Sequence, residues 1–357
     1  MTEQSVSTVA LGARRHPDGP LVTRLLDDLA VGAFPDGVGD ALAAAPGLAA
    51  VAGTPGTGST LDLWEGLATL AAYDLGVARA IEPHLDAVAI LAQAGGVVDL
   101  ADAAASDTRT WGVFAAEGGT DPLTATRTPN GWLLDGAKPW CSLADRLTHA
   151  LVGARTADGE RRLFAVDLAG PGVRPDVSAW HARGLAEIPS GPVRFERVPA
   201  APVGGPGWYL DRPGFAWGGI GVAACWYGGA VGVARTVLDA ARADDPSPFL
   251  LMHLGAIDVG LQAARSALAE AAAAVDAGEA TGAAGSLLAK RVRGVVARAA
   301  EDTLVRAGHA LGPAPLALDA AHAKRVADLQ LYVRQHHAER DENSLGRAVA
   351  AGGVAPW

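Results

Sequence analysis

Asn130-Gly-Trp-Leu-Leu-Asp-Gly-Ala-Lys-Pro-Trp-Cys-Ser142 is the stretch whose reading decides the fold. Its Asn-Gly pair tolerates positive φ, and a short apolar run follows, so the stretch reads as the returning arm of a β-hairpin. Asp158-Gly159, between Ala150-Leu151-Val152 and Leu163-Phe164-Ala165-Val166, repeats the signal. Val193-Arg-Phe-Glu-Arg-Val198 alternates apolar with charged residues, as a strand with one buried and one wet face does. Residues 109–211 therefore read as a small β domain, a barrel or sandwich.

Helical texture surrounds this block. Leu63, Leu67, Leu70 and Ala71 recur at helical spacing, as do Leu85, Val88, Ala89 and Ala92. Gly53-Thr-Pro-Gly-Thr-Gly58 separates helices in this part. After Pro213 the period returns. Leu288, Val292, Val295, Val296 and Ala299 form one stripe, with Lys290, Arg291, Arg293 and Arg298 largely off it, and Gly308 as its stop. Further helices at Ile257–Val275 and Leu316–Gln335 make a four-helix bundle the natural packing, and the tail Arg347–Trp357 reads as fraying. The expected class is α+β: an N-terminal helical domain over 1–108, the β domain, and a C-terminal four-helix bundle over 212–357.

Composition bounds the function. The chain has 357 residues, 50% hydrophobic and 19% charged, enough for two or three domains with real cores and too apolar for disorder. Lys and Arg total 29 against 39 Asp and Glu, a formal charge of −10, which argues against sequence-independent nucleic-acid binding. The two cysteines, Cys141 and Cys225, build neither a disulfide framework nor a thiolate metal cluster, and a cytoplasmic setting is the simplest reading. Met1 to Pro20 is polar and carries no export signal. Phe215 to Ala234 is uncharged over 20 residues, but its six glycines and lack of leucine favour a buried helix over a membrane span.

Three motifs in this order resemble the flavin-dependent acyl-CoA dehydrogenases. Trp111-Gly-Val-Phe-Ala-Ala-Glu-Gly-Gly-Thr-Asp121 is similar to that family's Thr-Glu-Pro…Gly-Ser-Asp stretch. Asn130–Ser142 resembles its Leu-Asn-Gly-x-Lys-x-Trp-x-Thr/Ser segment, and Ala327-Asp-Leu-Gln-Leu-Tyr-Val-Arg-Gln335 resembles a C-terminal helix of one subgroup. Asp74-Leu-Gly-Val-Ala-Arg-Ala-Ile-Glu-Pro-His84 is similar to an Asp-Leu-Ser-Leu-Ala-Arg helix, with His84 read as structural. The resemblance implies FAD, held by Gly119, Thr120, Trp140, Cys141 and Ser142. In the family the Trp-Cys-Ser segment lies along one face of the isoalloxazine and donates to its N5/O4 edge, which stabilises charge on the reduced ring. Cys141 itself reads as a small filler.

The resemblance implies that a carboxylate removes an α-proton of an acyl thioester while hydride leaves to flavin. This sequence departs from that pattern. The position eight residues after Asp328 is His336, in Gln335-His336-His337-Ala-Glu339-Arg340, and the alternative location, Gly221-Val-Ala-Ala-Cys-Trp226, holds no carboxylate. His336, Glu339 one helical turn on, or no base at all are the open readings. No metal is expected, since His336-His337 lacks a third ligand at fitting spacing. The Arg-x-x-Phe-Gly segment is missing near Asp245–Met252, and Val305-Arg-Ala-Gly308 retains one glycine of Gln-x-x-Gly-Gly. Arg306 and Arg334 are the cations to suspect of replacing the lost phosphate contact.

Three functions follow from the resemblance. The first is an FAD-dependent acyl-CoA dehydrogenase-like oxidoreductase. It would act on acyl-CoA or an acyl-carrier thioester, as a homodimer or homotetramer, and pass electrons to an electron-transfer flavoprotein. The second is a flavin monooxygenase on the same fold, and the third a catalytically inactive subunit. The pocket depth that would decide the substrate lies along Tyr73–Leu91 and Ala216–Tyr227.

Overall fold

A computed structural model describes residues 7–13, 17–95, 108–118 and 121–352. Among the described residues four helices come first: α1 Pro20–Ala30, α2 Val38–Ala52, α3 Thr60–Tyr73 and α4 Leu75–Gln93. Asp74 starts α4, its carboxylate accepting from the N–H groups of Gly76 and Val77, while its extended backbone turns the chain out of α3. Thus the Asp that opens the Asp-Leu-Gly motif is a helix cap.

Seven strands follow: β1 Trp111–Phe114, β2 Thr124–Thr128, β3 Gly131–Lys138, β4 His149–Thr156, β5 Arg161–Asp167, β6 Val173–Pro175 and β7 Val193–Val203. Strands β4, β2, β3, β7 and β5 pair in a closed ring, with β5 returning to β4. It is a small barrel. Strand β1 runs parallel to β4 on the edge that β2 also uses, and β6 pairs with β7. Both predicted hairpins are present: Thr128 pairs with Gly131, and Arg155 with Arg161 across a turn holding Gly159 at φ 78°. The alternation of Val193–Val198 is broken, however, at Arg197. That residue takes φ 52°, its N–H is held by Asp135, and the register against β3 slips there, so Glu196 and Arg197 both face solvent and Val198 turns inward.

The second helical block comprises α5 Trp208–Asp211, α6 Pro213–Ala241, α7 Pro248–Asp276, α8 Gly282–Leu311, α9 Ala314–Leu318, α10 Ala320–Tyr332 and α11 Glu339–Ala350. Helices α6, α7, α8 and α10 form the expected bundle. Three boundaries differ from expectation. Helix α8 runs past Gly308 and ends at Gly312, φ 67°. Asp319 leaves the helical region and caps α10 through the N–H groups of Ala321 and His322, which splits the single helix expected over 316–335. Part of the tail that reads as fraying is helical as far as Ala350, because acidic Glu339, Asp341 and Glu342 sit at the N-terminus of α11 and Arg347 at its end, matching the helix dipole; 353–357 lie outside the described residues.

Helix α6 is long and apolar enough to cross a membrane by length and composition, yet 72% of its most apolar window is buried within the protein. It runs between α3 and α8. Glycine permits this: a Cβ on Gly228 would overlap the Ala68 carbonyl of α3. One continuous core joins α1–α4, the inner barrel residues and the bundle, with Trp64, Phe164, Phe195 and Trp226 among its largest side chains.

Candidate functional site

The Trp-Cys-Ser segment leaves the end of β3 in a strained conformation. Trp140 and Leu143 both take left-handed backbone angles, φ 60° and 57°, at a cost on the order of 1 kcal/mol each. Hydrogen bonds fix the segment: the Cys141 N–H donates to the Gly191 carbonyl at 3.0 Å and the Leu143 N–H to that of Pro189 at 2.8 Å. Cys141 is buried, its thiol donating to the Lys138 carbonyl, and burial pushes its pKa up to about 12, so it is a filler and not a nucleophile. Trp140 is 64% exposed. An indole held outward by a strained, anchored backbone offers an aromatic face to a planar ligand.

Beneath the segment runs a partly buried polar row. Arg79, on α4, donates from Nη2 to Ser142 Oγ and pairs through Nη1 with Glu82 Oε2, each at 3.2 Å. Ser142 Oγ lies 2.8 Å from Ser190 Oγ; because Ser190 donates to the Ile188 carbonyl, the Ser142 proton is directed at Ser190. Glu82 is 7% exposed, and burial, opposed by Arg79, raises its pKa from 4.5 to about 7. Farther along α4, Asp86 faces buried Arg212 at 3.8 Å, and Arg212 donates to Gln93 and lies over the Tyr209 ring. The α4–α6 seam, where substrate depth was sought, therefore carries ion pairs. Sequence reasoning quoted this helix but missed Arg79, Glu82 and Asp86; charges at 79, 82 and 86 on one face of an otherwise apolar helix were the available signal.

The row continues to the C-terminal candidate. Arg79 lies over the Tyr332 ring at 5.7 Å, Tyr332 meets Trp226 edge-on at 6.4 Å, and Trp226 meets His336 edge-on at 6.4 Å. Ser142 and His336, taken from separate motifs, thus stand at two ends of one chain of contacts. His336 is half-buried, and burial holds its pKa below the usual value. Glu339 is exposed at the first turn of α11. Positions 221 to 226 are buried but for half-buried Val222 and hold no carboxylate. The Trp226 Nε1 and Tyr332 hydroxyl are buried without hydrogen-bond partners of good geometry among the described residues. His84 pins α4 to the barrel: the Trp111 N–H donates to its Nδ1 at 3.2 Å, and burial lowers its pKa to about 4.

On the other side of β3 a cleft is lined by Glu117, Gly118, Lys138, Gly153 and Arg155. Gly119 and Thr120 lie outside the described residues; Gly118 beside them takes φ 143°, and nothing stands within 4 Å of where its Cβ would be. Lys138 is buried, donates to the Gly153 carbonyl at 2.6 Å, and is lowered by burial to about 8. Glu117 is shared by Arg155 and Arg161. Arg306 and Arg334 are each paired on α8, with Asp302 and Glu301. Asp74, Glu187 and Asp328 cluster as three carboxylates, but the Lys324 ammonium sits among them at 3.1, 2.7 and 2.6 Å and supplies the cation they need. Burial alone would lower the Lys324 pKa; these carboxylates hold it above the ordinary value.

No protein-family model and no curated protein sequence matches the chain. Solved structures do. KijD3, in complex with FMN and dTDP-3-amino-2,3,6-trideoxy-4-keto-3-methyl-D-glucose, superposes with TM-score 0.78 at 22% identity over 96% of both chains. TdsC from Paenibacillus sp. A11-2, bound to FMN and indole, gives 0.75 at 16% identity over 92% of this chain and 95% of its own. Butyryl-CoA dehydrogenase from Megasphaera elsdenii gives 0.71 at 17% identity over 82% of each. The chain has the acyl-CoA dehydrogenase fold. Its neighbours on that fold are flavin-dependent oxidoreductases, some of them monooxygenases, and the resemblance stated from the motifs holds at the level of the fold.

Proposed function

We propose that the chain is a flavin-dependent monooxygenase on the acyl-CoA dehydrogenase fold, and not a dehydrogenase of acyl thioesters. The observation that carries this reading is the fate of the two base positions. One lies in a buried stretch with Cys225 and Trp226, and the other is His336, edge-on to Trp226, so neither position holds a carboxylate, while Glu339 faces solvent. The ion-paired α4–α6 seam supports it as well, since Arg79, Glu82, Asp86 and Arg212 place charged groups along the seam a hydrocarbon chain would enter. Full-length similarity to FMN-bound KijD3 and TdsC points the same way by fold analogy.

The residues fit a flavin. Trp140 presents an aromatic face, the Gly118 side of the cleft is open, and Lys138 brings positive charge to it. We favour FMN over FAD, because Arg306 and Arg334, the cations suspected of meeting a second phosphate, are already paired with carboxylates of α8. When bound, the flavin supplies the redox chemistry by which oxygen is activated. The chain's own residues do the rest. Trp140 and the cleft would hold the ring, and Arg79 with Ser142 would supply charge and a hydroxyl beside it. His336 would accept or return a proton, and the packed α6 would exclude water from behind.

Reconstitution with FMN tests this. Flavin reduced by a separate NAD(P)H-dependent reductase should be reoxidised by O2 with turnover of an oxygen-accepting substrate. Anaerobic bleaching of the bound flavin by an acyl-CoA, with no other reductant, would overturn the reading in favour of the dehydrogenase.

A further inference from the structure

The proposed function leaves Glu82 unused, although it is a buried carboxylate two hydrogen bonds from Ser142. Its surroundings come from four elements: Arg79 and Asp86 on its own helix, Tyr209 on α5, Cys225 on α6 and Tyr332 on α10. Burial drives Tyr209, Cys225 and Tyr332 well up, so all three stay neutral, and Asp86 is raised by burial against the pull of Arg212 and Arg79. Arg79 is thus the one cation in direct contact with Glu82 among the described residues, and it is shared with Ser142.

We propose that Glu82 and Arg79 form a positioning pair in which uptake of one proton by Glu82 unmasks the Arg79 charge beneath Ser142. With Glu82 ionised, the guanidinium is neutralised on its Nη1 side, and Ser142 lies next to a charge-balanced pair. With Glu82 protonated, the same guanidinium faces Ser142 uncompensated, and the site gains one positive charge without any group moving. The position suits this role: Glu82 is buried and Arg79 half-buried, so the pair is only partly screened by salt, and Arg79 touches the strained Trp140–Leu143 segment through Ser142. Glu82 titrates near neutrality, so the switch operates at ordinary working pH. The inference rests on the flavin reading for its purpose, while its chemistry belongs to the apoprotein.

The first test is infrared titration of the apoprotein in D2O. A buried carboxylic acid C=O band should appear with a single midpoint near neutrality, vanish in Glu82→Gln, and persist in Asp86→Asn. Arg79→Gln should raise the midpoint by about one unit or more, because the charge favouring the carboxylate is gone; this variant reads the pair even where Glu82→Gln does not fold. In protein reconstituted with FMN, the visible spectrum should shift with the same midpoint, and not in Glu82→Gln. A band that survives Glu82→Gln, an unmoved midpoint in Arg79→Gln, or bound FMN blind to the transition overturns the proposal. Failure to bind FMN at all would instead strike the proposed function, and the apoprotein titration would decide the pair by itself.

Discussion

Trp140 is where local physics and function meet at the scale of one residue. A left-handed tryptophan on the surface is unfavourable twice over, in backbone strain and in exposed apolar area. Trp140→Gly should therefore raise thermal stability modestly, by about 1 kcal/mol, while weakening FMN binding at least tenfold; calorimetry and flavin fluorescence read the two effects separately. Glu82 has a sign of its own. Its folded pKa lies above the unfolded one, so the native state holds the proton more tightly, and stability falls as pH climbs from 4.5 to about 7. Glu82→Gln should remove that slope and leave the variant more stable above neutrality, by up to about 3 kcal/mol in denaturant titrations. His84 acts oppositely, since its depressed pKa makes stability fall as pH drops from 6.5 toward about 4. A Tm–pH profile of Glu82→Gln should then retain only its acid limb. The shift itself was not legible in the sequence: Glu82 and Asp86 stand there as two acids in a largely apolar helix, and the burial that raises the Glu82 pKa comes from packing that brings up Cys225 and Tyr332, far away in the chain.

Among the elements, what the sequence disclosed was whatever a local signal dictates. The two hairpins were legible because Asn130-Gly131 and Asp158-Gly159 write their turns in two residues. The bulge at Arg197 was not, because Asp135 on another strand holds its N–H. The break at Asp319 carried a readable cap signal but was hidden by helical texture on both sides. Closeness of α3 and α6 was likewise invisible, though the glycines of α6 hinted at some approach. Gly228→Leu should separate these helices and destabilise the protein by several kcal/mol, or prevent folding, whereas Gly219→Ala, with only the flexible end of Arg293 nearby, should shift the Tm by a degree or two. Comparing the two melting curves distinguishes tight packing from ordinary helix propensity.

For the molecule as a whole, the Lys324 cluster is a clasp. It joins the cap of α4 through Asp74, the segment before β7 through Glu187, and α10 through Asp328, whose carboxylate also accepts the Leu185 N–H at 2.6 Å. Lys324→Met would leave three carboxylates together without their cation. The expected result is a loss of about 1 kcal/mol, screened because Lys324 is 39% exposed, that shrinks as pH is lowered and the acids are protonated, together with faster hydrogen exchange at Leu185. A loss independent of pH would mean that packing, and not charge, makes the clasp.

The seating of α6 against α3 has a consequence for how the chain is made. Helix α3 emerges from the ribosome long before α6, and its apolar face, with Trp64 and Leu67, has no partner until Gly221 and Gly228 have been synthesised. The closed barrel between them is translated during that interval, a wait on the order of ten seconds at usual elongation rates. Nascent chains stopped before Ala241 should therefore recruit holdase chaperones and aggregate on release, while chains extended through α8 should become protease-resistant.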